Sequence, residues 1–101
     1  MSAESFTVTI AKDLEDLIPT YLKNRRQELE TLRSALSAGD FEQLRQVGHR
    51  MRGVGDSYGF GKITLLGKRI EDGAKGTDRA GIEASIAEYD QYLAGLKVVY
   101  E

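Results

Sequence analysis

The chain has no cysteine, no tryptophan, a single proline and a single histidine. Without cysteine there is no disulfide framework, no thiol nucleophile and no zinc–thiolate centre. One histidine on its own makes a transition-metal site improbable. An excess of charge of one sign is missing too. Fourteen basic residues against sixteen acidic ones leave a net charge of −2, so no bulk field draws the chain to nucleic acid or to an anionic membrane. No apolar run is long enough to span a bilayer. The opening Met1-Ser2-Ala3-Glu4-Ser5 has neither the basic nor the apolar part of an export signal. These absences favour a cytoplasmic protein. With 101 residues there is room for one core, so residues 1–101 are read as a single domain, ordered from about 10 to 99. The start at Met1 and the compact length favour a free-standing protein.

What the sequence does have is helical period. From Lys12 to Leu36, apolar residues recur at Leu14, Leu17, Ile18, Tyr21, Leu22, Leu29, Leu32 and Leu36. Pro19 interrupts this region, and proline is tolerated in a first turn but not deep inside a helix. Either a short helix ends at Ile18 and a long one begins at Pro19, or one helix kinks there. Ser37-Ala38-Gly39-Asp40 reads as a tight connection. Gly39 suits a left-handed C-terminal position and Asp40 caps the next helix, with Gln43 three residues on. That helix ends near Tyr58 or Gly59. A third runs from Lys62 to Ala74 over Ile63, Leu66 and Ile70, and a fourth, capped by Thr77 or Asp78, from Arg79 to about Val99. The fourth carries Ile82, Ile86, Tyr89, Leu93, Leu96 and Tyr100 on one stripe. Phe6, Val8 and Ile10 alternate, but a lone strand there has no partner in this reading. The expected fold is all-α: an antiparallel up-down four-helix bundle with a short extra helical segment at its N-terminus.

The second helix carries the histidine. Phe41, Leu44, Val47, Met51, Val54 and Tyr58 form its core stripe, and at about 100° per residue His49 projects roughly opposite, toward solvent. Arg45 lies on the same outward face one turn before it; Arg52 and Gly53 lie one turn after. Arg50 points elsewhere. Gly48, Gly53, Gly55, Gly59 and Gly61 crowd this helix and its exit, and an interior glycine costs roughly 1 kcal/mol relative to alanine. For Gly48, Gly55 and Gly59, near the edge of the stripe, close packing against a neighbouring helix is the simplest offset. Gly53 faces as His49 does, and its missing side chain leaves the imidazole open to a bulky phosphoryl group or a partner's backbone.

Other motifs fail in detail. Gly55 to Lys62 has five residues between its glycines where a phosphate-binding P-loop has four, and Ile63 stands where that loop has Ser or Thr. Gly53-Val54-Gly55 lacks the third glycine of a dinucleotide fingerprint. Asp13, Glu15 and Asp16, like Glu71 and Asp72, read as solvated helix faces, and Arg25, Arg26, Glu28 and Glu30 as a mixed-charge surface. Imidazole is a nucleophile in its neutral form, which predominates above about pH 6.5. A phosphoryl group on His49 would add negative charge that Arg45 and Arg52 can meet with hydrogen bonds.

His49-Arg50-Met51-Arg52-Gly53, followed by a second glycine at Gly59, resembles the signature of histidine-containing phosphotransfer (Hpt) domains: histidine, any residue, an aliphatic residue, lysine or arginine, then glycine. Ala38-Gly39-Asp40-Phe41 fits the family's turn into the histidine helix, and Gly67-Lys68-Arg69-Ile70-Glu71 fits the helix that follows. The likeness covers the chain from about Ile10 onward. It implies a phosphorelay intermediate of two-component signalling. His49 takes a phosphoryl group through Nε2 from the phospho-aspartate of a response-regulator receiver and passes it to another receiver. Arg52 steadies the phosphoryl group, Gly53 gives the partner access, and Arg45, added from helix geometry, assists. No cofactor of its own is implied; magnesium is expected on the receiver. The partners implied are receiver domains and a hybrid histidine kinase, with no nucleic acid, no membrane and a monomeric phosphoprotein. The chain departs from the family pattern at Arg52, where lysine is commoner, and at Val54-Gly55-Asp56, where small residues are usual. Asp56 shares the face of Arg52 and is expected to pair with it. Two other readings stand beside this one: a helical adaptor that binds receivers without phosphotransfer and, further off, an autonomous kinase or phosphatase.

Overall fold

The computed structural model describes residues 5–101; Met1 to Glu4, on which the export-signal reading largely rests, lie outside the described residues. A strand β1 (Phe6–Ile10) leads into a 3-10 turn at Lys12–Leu14. Four helices follow, α1 (Ile18–Ala38), α2 (Phe41–Ser57), α3 (Gly61–Lys75) and α4 (Arg79–Ala94), and the chain closes with a strand β2 (Leu96–Tyr100). Helix α1 packs on α2 and α4, α2 on α3, and α3 on α4, so the four close a ring around one core. Leu32, Leu44, Val47, Met51, Ile63, Leu66, Ile70, Ile82 and Tyr89 are all fully buried there.

The helix boundaries follow local chemistry. Pro19 is the second residue of α1, where its missing N–H costs no hydrogen bond, so the long helix begins beside it at Ile18; what precedes is a 3-10 turn that ends at Leu14, not a short helix reaching Ile18. Gly39 ends α1 with φ +70°. Asp40 accepts from the Gln43 N–H at 3.0 Å, and Asp78 accepts from the Gly81 N–H at 3.0 Å, each satisfying an orphan donor of the helix it starts. Side chains tie the ring across its helices: Tyr21 donates to the Val54 carbonyl (3.1 Å) and Arg33 to Asp90 (2.6 Å).

Two expectations need correction. The last helix does not run to Val99; it stops at Ala94 with Gly95 as its cap, and Leu96–Tyr100 is extended. The alternating Phe6, Val8 and Ile10 are not partnerless either. β1 and β2 form a parallel pair in the register Phe6↔Leu96 through Ile10↔Tyr100. Leu93, Leu96 and Tyr100 fit a helical spacing, yet Val98 and Val99 are β-branched and favour a pleated strand once a partner edge is present. That edge is supplied by the far end of the chain. The fold is therefore mostly helical with two short strands, rather than purely α.

Candidate functional site

Helices α2 and α3 approach backbone to backbone. A Cβ built on Gly48 would lie 2.7 Å from the Glu71 backbone nitrogen and 2.8 Å from the Gly67 carbonyl oxygen; one on Gly67 would lie 2.5 Å from the Met51 Cβ and 2.7 Å from the Gly48 carbonyl. At Gly55 the obstacle is the Thr64 backbone nitrogen, 2.5 Å away. Gly48 and Gly55 are thus the close-packing glycines expected from the sequence. Gly59 differs: it stands beyond the helix end with φ +85°, a conformation that side chains strain to adopt. Thr64 uses the short separation to bridge one rung of α2. Its hydroxyl accepts from the Asp56 N–H (2.9 Å) and donates to the Arg52 carbonyl (3.2 Å).

The close approach brings a carboxylate of α3 under the outward face of α2. His49 projects away from the core with its side chain 68 % exposed. Its Nδ1 is 3.0 Å from Glu71 Oε2, while Arg52 Nη1 donates to the other oxygen, Oε1, at 2.6 Å. Lys75, one turn beyond Glu71, places Nζ 3.8 Å from Oε2. The Glu71 side chain is only 4 % exposed. The histidine, arginine and lysine beside it are themselves 68 %, 42 % and 56 % exposed. The hydrogen bond from Arg52 holds the Glu71 carboxyl below its ordinary range, with His49 and Lys75 adding to the effect against the opposing cost of burial. In turn, Glu71 pushes the Arg52 guanidinium up.

This arrangement fixes a tautomer. An ionised carboxylate only accepts hydrogen bonds, so Nδ1 must carry the hydrogen that Glu71 Oε2 receives. The neutral ring then keeps its lone pair on Nε2, the outer nitrogen. Gly53 leaves the approach open: nothing lies within 4 Å of a Cβ built there.

The structure thus brings His49 and Arg52 together through Glu71, beside open Gly53. It does not bring Arg45 into that cluster; the guanidinium of Arg45 is bound to Glu42, three residues before it. Asp56 does not pair with Arg52 as its shared face suggests; Glu71 takes that place, and Asp56 makes no ion pair among the described residues. Glu71 itself is the residue that the sequence reading missed by treating it as a solvated face. Its signal was Gly67, Glu71 and Ala74 at helical spacing, with the two small neighbours marking the line where another helix presses on α3. Among the described residues, no group of three or more His, Cys, Asp or Glu side chains is placed to hold a metal ion. Among those residues, too, no helix is long and apolar enough to cross a membrane.

The Hpt domain family model matches residues 8–97. No curated protein and no solved structure gives a significant match.

Proposed function

This chain belongs to the Hpt domain family, and from that premise we propose that it is a phosphorelay intermediate with His49 Nε2 as its phosphoacceptor. Hpt domains are phosphotransfer modules of two-component signalling rather than autonomous kinases or phosphatases, and they work with receivers and kinases. The observation that carries the reading is the hydrogen bond between His49 Nδ1 and buried Glu71, which turns the lone pair of an exposed imidazole outward.

The step balances on this geometry. The Nε2 lone pair attacks the phosphorus of a receiver's aspartyl phosphate, the P–O bond breaks, and its electron pair returns to the aspartate carboxylate. Nδ1 keeps its hydrogen, so the ring gains positive charge as the new P–N bond forms, and the Glu71 carboxylate opposes that charge at 3.0 Å. In-line transfer of this kind requires positioning and charge neutralisation more than covalent chemistry from the protein. Arg52 contributes charge beside the phosphoryl group through donors other than the Nη1 that Glu71 occupies. Arg45 plays a lesser part, being tied to Glu42. Gly53 leaves space for the receiver, which brings the magnesium. The bundle is of the up-down kind, supported by the way Gly48 meets Glu71 while Gly55 meets Thr64, and it acts as a cytoplasmic monomer with no cofactor of its own.

The test is transfer from a panel of phosphorylated, radiolabelled receivers, with His49→Gln alongside. Acid-labile, alkali-stable label is expected on the wild type alone, with receiver binding retained by the variant. Binding without labelling of the wild type would establish an adaptor instead, and equal labelling of both proteins would remove His49 from the chemistry.

A further inference from the structure

We infer that Lys75 is a second phosphoryl-stabilising side chain, which leaves Glu71 for the phosphoryl group when His49 carries one. The inference rests on the reading of His49 as phosphoacceptor. Three cations stand near that imidazole, and they differ in what they would give up by moving. Arg45 is bound to Glu42 on its own helix. Arg52 donates to Glu71 Oε1 at 2.6 Å, and withdrawing it would strand a carboxylate that is almost wholly covered. Lys75 stands 3.8 Å from Oε2, outside hydrogen-bond distance, with its side chain 56 % exposed. It has the least to lose.

It is also in the right place. Oε2 is the same oxygen that faces His49 Nδ1, so the ammonium and the imidazole flank one atom. Nζ therefore lies no further from Nδ1 than those two short separations laid end to end, and the proposal requires its four-carbon stem to carry it past the ring edge to a group on the outer Nε2. An ammonium presents three rotatable donors to whatever anion comes near. A phosphoryl group brings a charge of about −1.5 to −2 at neutral pH, against the single charge of Glu71. Once Lys75 has moved, Glu71 keeps both the Arg52 guanidinium and the Nδ1 hydrogen. The ring stays oriented while the charge on its outer nitrogen is neutralised. Lys68 is an exposed lysine three residues before Glu71 and serves as the competing candidate.

The experiment charges the protein directly with phosphoramidate, whose P–N bond breaks with release of ammonia as Nε2 bonds to phosphorus. The second ionisation of the resulting phosphohistidine is then followed by 31P NMR in the wild type, Lys75→Gln, Lys75→Arg and Lys68→Gln, with His49→Gln as the unlabelled control. A cation beside the phosphoryl group favours its dianion. Lys75→Gln should therefore raise the titration midpoint by about half a unit, allowing for solvent screening at an exposed site, and Lys75→Arg should restore it. An unchanged midpoint in Lys75→Gln, or a shift seen in Lys68→Gln instead, overturns the role of Lys75 while leaving His49 as acceptor. A wild type that takes no label at His49 overturns both.

Discussion

Two glutamates are withdrawn from solvent in this bundle, and they respond in opposite directions. Glu71, between α2 and α3, is held below the ordinary carboxyl range, above all by the hydrogen bond from Arg52. Glu28, between α1 and α4, is pushed up by burial, which outweighs Arg25 beside it and the hydrogen bond from Tyr89. Their side chains are similarly hidden, at 4 % and 9 % exposure. What differs is the cover. Glu71 lies beneath cationic and imidazole side chains that reach water themselves, whereas Glu28 meets the Tyr89 hydroxyl at 3.0 Å, and Tyr89 is fully buried. A carboxylate under a thin, charged lid stays ionised; one set against the apolar interior is driven toward its neutral form. The first kind can orient an imidazole by accepting its hydrogen, and the second is suited to holding helices together.

The comparison breaks most severely if α3 is forced off α2. Gly48→Ala places a methyl group against the Glu71 backbone, which has no flexible end to yield. A net loss of about 1–3 kcal/mol is expected from overpacking, and a urea midpoint against the wild type measures it. The Glu28 side should be untouched, and Gly81→Ala, which meets only the side chain of its capping Asp78, should cost less.

Acid titration sharpens the contrast. Glu71 has a depressed folded value, so its contribution to stability is complete above the ordinary 4.5 and is lost as pH falls through that lower value. Glu71→Gln should flatten the acid limb of a stability profile below pH 4.5. Glu28 has a raised folded value, so its contribution is present below 4.5 and is lost as pH rises through the higher one. Glu28→Gln should then gain on the wild type as pH climbs above 4.5. Profiles of both variants moving in the same direction would dissolve the distinction.

The smallest effect on folding is expected at Gly53, where an added methyl group meets nothing within 4 Å. Gly53→Ala should raise stability by about 0.5–1 kcal/mol through helix propensity, while slowing transfer from a receiver. Thermal melts and transfer rates measured on the same preparation separate the two outcomes; an undiminished rate would remove access as the reason for a glycine at this position.

Much of the bundle was legible because its signals are local. The stripe from Leu44 through Val47 to Met51 follows from helical spacing, and Asp40 and Asp78 each cap a helix by reaching a donor three residues on. The outward direction of His49 follows from the same period. Glu71 was not legible in this way, since a charged residue at the margin of a stripe is ordinarily solvated and only the close approach at Gly48 and Gly67 covers it. Arg52 choosing Glu71 over Asp56 has the same origin: Asp56 is one turn away on its own helix, but the better acceptor comes from across the interface. β2 was hidden for a related reason, because its hydrogen-bonding edge lies near the opposite end of the chain.

That strand pair makes the two ends of the chain a single mechanical unit. Phe6 and Leu96 are neighbours across 90 positions of sequence, and Glu101 N–H donates to the Ile10 carbonyl just beyond the last rung. Every helix lies inside the loop so closed. Closing so long a loop costs chain entropy before any contact across it forms, so the pair is expected to form late in folding. Among the described residues, either strand has the other as its one strand partner in this two-stranded sheet. Fraying that begins in one strand is therefore expected to release the other, with the amides of both exchanging with solvent as one cooperative group.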